Sequence, residues 1–154
     1  MSMRSCCAGL IGRDWRSRRE ANSISRMGML RVTWGMSAAV WFVVIVLCCV
    51  WWGWPATAVA VIFGLMPDLS LIGAFAEQGR LKPERVRLYN SLHTMTVPIV
   101  MLAAGLAVFL LTGGYEGGFW PLALAGLAWF VHIAADRAFG YGFRAADGSI
   151  IPVG

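Results

Sequence analysis

A predominantly apolar run extends from Trp34 to Trp54, stops at Pro55, and is followed by three further stretches. The first stretch is 21 residues without a charge, with tryptophans at both ends, where the two faces of a bilayer favour them. The second runs from about 56 to 76. The third runs from about 88 to 111 and the fourth from about 119 to 139. Polar residues 77–87 separate the second from the third, and the glycine-rich turn 112–118 separates the third from the fourth. At about 1.5 Å per residue, runs of about 20 residues match a hydrocarbon core of about 30 Å. The pattern predicts an all-α, four-helix transmembrane bundle over residues 31–143, with Pro67 as the candidate break in the second helix.

Composition agrees: 58% of residues are hydrophobic and 14% charged, against about 25% charged in soluble domains. That balance excludes an ordinary water-soluble fold and a disordered chain. The four cysteines form two adjacent pairs, Cys6-Cys7 and Cys48-Cys49, without zinc or redox spacing. Cys48 and Cys49 sit inside an apolar run, where a reduced thiol behaves as a small hydrophobe.

Charge placement supplies the topology. Seven arginines lie in residues 1–31, four bases in the 77–87 loop (Arg80, Lys82, Arg85, Arg87), and two near the end (Arg137, Arg144). Together they are all 13 Lys and Arg residues, and an even number of spans puts every one on the same side. The positive-inside rule then predicts an inner-membrane protein with both termini cytoplasmic. Residues 1–30 read as a basic, disordered and dispensable arm, and Met27, Met29 or Met36 is an alternative start. Residues 144–154 read as a short tail. The expected partners are the lipid bilayer and, for some functions, further copies of the chain. Nucleic acid is not expected, because the chain lacks a soluble fold with aromatic platforms.

Ionisable groups inside a span cost about 2.5–3.5 kcal/mol at the bilayer centre on insertion scales, so each calls for a partner. The second segment carries Asp68 and Ser70 beside Pro67, and the third opens with Tyr89, Asn90 and His93. The fourth carries His132, Asp136 and Arg137. Their sequence positions put them at similar depth. The spacings put His132 and Asp136 on one helix face, and place Tyr89 and Asn90 beside His93. One polar pocket open to the cytoplasm is expected, lined by Asp68, Ser70, Tyr89, Asn90, His93, His132, Asp136 and Arg137.

The motifs Pro67-Asp68-Leu69-Ser70, Tyr89-Asn90-x-x-His93-Thr94 and His132-x-x-x-Asp136-Arg137-x-x-Gly140-Tyr141-Gly142 resemble those of one bacterial integral membrane family. It is known as domain of unknown function 4260. The resemblance covers about residues 29–148 and implies a small multi-span protein without an established activity. Members often continue with Thr-His-Leu-Gly after the last motif, where this chain has Ser149-Ile150-Ile151-Pro152-Val153-Gly154. A more distant analogy is to membrane-bound metal-dependent hydrolases that combine an early Pro-Asp with later His and His-x-x-x-Asp motifs.

Three readings of the pocket follow. The leading one is an interhelical hydrogen-bonded clamp, each bridge contributing about 0.6 kcal/mol. The second is a hydrolase-like site for a divalent metal, zinc or manganese, with Asp68, His93, His132 and Asp136 as candidate ligands. In that version His93, His132 and Asp68 bind the ion, and Asp136 orients His132 from behind the imidazole. The third is a proton or cation relay in a homo-oligomer.

Overall fold

The computed structural model describes residues 4–76 and 79–153. The start of the basic arm, the first residues of the polar loop and the last residue of the tail lie outside those described. Helix α1 spans Arg4–Trp52, α2 Trp54–Leu65, α3 Pro83–Leu92, α4 Thr96–Leu111 and α5 Pro121–Phe139. A 3-10 segment, Met66–Leu71, continues α2. Four stretches are long and apolar enough to cross a membrane: Ser25–Trp52, Trp54–Leu71, Pro83–Leu111 and Pro121–Phe139. The all-α four-span architecture expected from the hydropathy pattern is therefore present, with two isolated β-bridges and no strand among the described residues.

The arm expected to be disordered is helical backbone from Arg4 and runs directly into the first span. No proline precedes Pro55, and arginine is a good helix former, so nothing local stops the helix. Gly53 stops it, at φ 69°, a conformation that a side chain disfavours. Pro55 then starts α2, where its missing N–H costs nothing.

The second and third spans are both interrupted. In the second, the α-helix tightens to a 3-10 turn at Met66, where Pro67 lacks the N–H for a continued ladder. The third begins earlier than the apolar run, because Pro83 is an N-terminal helix residue that brings Glu84 to Arg87 into α3. It is also broken between Leu92 and Thr96, which hydropathy does not signal. Pro98 removes the N–H that would have paired with the Thr94 carbonyl, while the Thr94 hydroxyl donates to the Ser91 carbonyl at 3.0 Å.

Helix α5 is the hub of the bundle. It packs against α4, α1 and α2 and is the most buried span. Its small residues explain this. A Cβ placed on Gly105 would fall on the backbone of Leu122 and Ala123, and one on Gly126 on the backbone of Leu102, so α4 and α5 meet nearly main chain to main chain. Ile45, Ala56, Leu124, Leu127 and Ala128 form the core beside them, and Trp52 stacks on Trp120 at 5.0 Å. Large apolar residues such as Val50, Trp51, Val61 and Leu110 point outward, as a lipid-facing surface requires.

A smaller cluster, Ala74, Leu81, Val86 and Tyr89, lies at the end where the tail docks. Gly140, in the left-handed region at φ 91°, ends α5 and turns the chain back. The Asn90 amide then pairs with both backbone groups of Arg144, at 2.9 and 2.8 Å, and the Leu81 N–H donates to the Gly148 carbonyl at 3.1 Å.

Candidate metal centre

The two interruptions deliver the site. The break in the second span carries Asp68, the break in the third carries His93, and unbroken α5 presents His132 and Asp136 one helical turn apart. One ligand atom from each of these four residues falls within 4.8 Å of the other three.

Asp136 is the centre of the arrangement. Its Oδ2 lies 3.3 Å from His93 Nε2 and 3.4 Å from His132 Nε2. Asp68 approaches from the outer side, with Oδ1 3.5 Å from His132 Nε2. The side chain of His93 is 5% exposed and that of His132 12%, against 23% for Asp136 and 46% for Asp68. The cluster is thus closed on the His93 side and open at Asp68.

His93 is held in one orientation. Its Nδ1 is 2.9 Å from the Tyr89 carbonyl, which can only accept, so Nδ1 carries the proton and donates it. The Tyr89 ring stacks on the imidazole with centroids 3.9 Å apart. In the neutral ring Nε2 then keeps its lone pair, 3.3 Å from a carboxylate oxygen. Both histidine Nε2 atoms are buried without a hydrogen-bond partner. An acceptor facing an acceptor is repulsive unless something positive lies between them, either a second proton on the ring or a cation.

Charge balance gives the same choice. Two carboxylates beside two neutral imidazoles leave two negative charges in a medium of low dielectric, which is costly. Two imidazolium protons or one divalent ion would neutralise them. Two nitrogens and carboxylate oxygens form a donor set that suits zinc or manganese.

The other residues expected in the pocket are placed differently. Tyr89 buttresses His93 from behind. Asn90 is taken up by Arg144. Ser70 is buried, but its hydroxyl donates to the Pro67 carbonyl at 2.8 Å. Arg137 lies over the rings of Trp34 and Phe143 at 4.9 and 5.8 Å, and it also lines a small cavity that His93 and Asp136 reach.

Three supporting residues were not read from sequence. Buried Arg144 sits over the Tyr89 ring at 5.3 Å and donates to the carbonyls of Gly79 and Gly148. Trp129 Nε1 donates to the Leu92 carbonyl at 2.9 Å, fixing the end of α3 just before His93. Arg31 donates to the carbonyls of Ala138 and Phe139, capping α5. Nothing in the sequence distinguishes Arg31 or Arg144 from the other topology-setting bases.

No curated protein and no solved structure matches the chain. A family model described as "Domain of unknown function (DUF4260)" matches residues 29–150, a region that includes the first span from Met29 on, the other three spans in full and all four clustered residues. The chain belongs to that family of membrane-spanning domains.

Proposed function

We propose that this protein is a membrane-embedded divalent-metal protein with hydrolase-like chemistry. His93, His132 and Asp136 hold the ion and Asp68 occupies its open side. The observation that carries this reading is the pair of buried, unpartnered Nε2 atoms that lie 3.3 and 3.4 Å from one carboxylate oxygen. The Tyr89 carbonyl and the Tyr89 ring stacked on His93 orient the imidazole from behind, the usual support for a metal-binding histidine. A divalent ion in such a site activates water near neutral pH and polarises a carbonyl or phosphoryl oxygen. Asp68, the most exposed of the four, is placed to ligate the ion or to take a proton from that water.

The arginine-bearing ends are assigned to the cytoplasm, which places the cluster in the inner leaflet of the cell inner membrane. This orientation rests on the positive-inside rule.

A clamp of two imidazoliums and two carboxylates is the competing reading, and it would draw the 3.3–3.5 Å separations in toward the about 2.7–2.9 Å of charge-assisted hydrogen bonds. Elemental analysis of the detergent-purified protein beside a His93→Ala/His132→Ala variant separates the two. Near-stoichiometric zinc or manganese in the wild type, absent from the variant, is expected. Metal in neither sample, even after reconstitution, would leave the clamp as the function of the cluster.

A further inference from the structure

The cluster lies between two cavities of opposite character. On one side, a small cavity of about 200 Å³ reaches His93 and Asp136 and is lined by Arg137, Tyr141 and the returning tail. On the other, a groove of about 660 Å³ opens between α1, α2 and α5 and ends at His132. Its walls are almost wholly apolar, with Phe42 and Cys49 from α1, Ala60 and Gly64 from α2, and Val131 from α5 among them. Its volume lies within the range of about 300–1,000 Å³ typical of small-molecule sites.

Three features identify what fits. The groove is walled by three membrane spans and bordered by exposed Phe42, Val46 and Val61, so its mouth faces hydrocarbon rather than water. It follows the helix axes. From Thr57 to Gly64 along α2 it extends about 10 Å at about 1.5 Å per residue. Its inner end is a candidate metal ligand, and beyond the cluster the smaller cavity is lined by Arg137. A water-soluble substrate has no use for the first of these compartments. A hydrocarbon chain alone has no use for the second.

We infer that the groove between α1, α2 and α5 is the chain-binding half of a lipid site, and that the ligand class of the His/Asp centre is a membrane lipid with an anionic headgroup. The lipid enters sideways from the bilayer. Its acyl chain lies along α2, and its headgroup is drawn to the His/Asp centre and Arg137. This inference rests on the metal-centre reading only for the polar end; the groove is defined without it.

Gly64 provides the test. A Cβ built there meets nothing within 4 Å, so Gly64→Leu projects into the groove without striking backbone. Ala60→Phe is a second filling variant on the same wall. The full chain is reconstituted in phosphatidylcholine vesicles that contain phosphatidylglycerol with a photoactivatable diazirine in one acyl chain. Metal content is measured on the same preparations. Labelling of the wild type should saturate with probe mole fraction and map to peptides of α1, α2 and α5. In the filled variants the half-saturating mole fraction should rise about tenfold, the effect of about 1.4 kcal/mol of lost contact. A diazirine phosphatidylcholine at the same mole fraction should compete poorly, because it lacks the net negative charge. Labelling that never saturates, or that is equal in wild type and both variants at equal metal content, would overturn the lipid site. Saturable labelling in a wild type that holds no metal would overturn the metal centre and leave the chain groove standing.

Discussion

Nε2 of His93 lies 3.3 Å from Oδ2 of Asp136, although the two residues come from different spans and are 43 positions apart. The contact exists because α3 ends with His93 as its cap, the N–H still bonded to the Tyr89 carbonyl at 3.0 Å, and because Trp129 on α5 fixes that helix end through the Leu92 carbonyl.

Added zinc or manganese should raise the unfolding temperature of chelator-stripped wild type and leave His93→Ala unchanged. At a free metal concentration about 100 times Kd the stabilisation is about 2.7 kcal/mol. Thermal unfolding with and without metal checks it. A His93→Ala protein stabilised as much as the wild type would remove His93 from the ligand set.

Asp136 and Asp68 should not be equivalent. Asp136 touches both histidines, whereas Asp68 touches only His132 and is 46% exposed at its side chain. Asp136→Asn should abolish stoichiometric metal binding. Asp68→Asn should lower affinity by no more than about 10–100-fold, the loss seen for residues that support a site from its edge. Competition against a chelating dye measures both, and equal losses would contradict the geometry.

Replacing Gly126 by valine should destabilise the bundle by at least about 1–3 kcal/mol, because the added carbon falls on the Leu102 backbone and α4 must move away from α5. Gly64→Ala, with open space around it, is the matched control and should be nearly neutral. Detergent unfolding of the two variants tests the contrast.

The docked tail depends on Asn90. Its side chain makes two hydrogen bonds to the Arg144 backbone, each contributing about 1 kcal/mol. In Asn90→Ala, amide exchange between residues 143 and 151 should accelerate at least tenfold while α5 stays protected. Unchanged protection would show that the Leu81–Gly148 contact holds the tail by itself.

The turn at Asp147 should respond to acid. The Ser149 hydroxyl and N–H donate to Oδ1 at 2.6 and 3.0 Å, with Arg80 3.9 Å from Oδ2, and hold the carboxyl below the ordinary carboxylate range. A group whose folded pKa is depressed contributes fully above its unfolded pKa, and the contribution disappears as pH falls through the folded value. Ser149→Ala should move the Asp147 titration upward, as followed by carboxyl NMR, while Arg80→Gln should move it less.

The number of spans, their boundaries at Pro55 and the glycine-rich turn, and the residues that meet in the cluster were all legible in the chain itself. Twenty-residue apolar runs have few alternatives in a bilayer, and a charged or polar side chain there must find a partner. The break at Pro67 was legible for the same reason, since proline lacks an N–H wherever it stands. The break after Leu92 was not, because the proline behind it, Pro98, lies several residues downstream, and polar Ser91, His93, Thr94 and Thr96 read equally well as the interfacial start of a span. Neither could the sequence rank the ligands. It placed Asp136 behind His132 on helical spacing alone, whereas the folded bundle puts Asp136 Oδ2 between two histidines. That rank depends on how α5 is rotated against α3. Gly126, Gly105 and Trp129 set this rotation through close contacts with other helices, and contacts between distant segments leave no periodic trace along the chain.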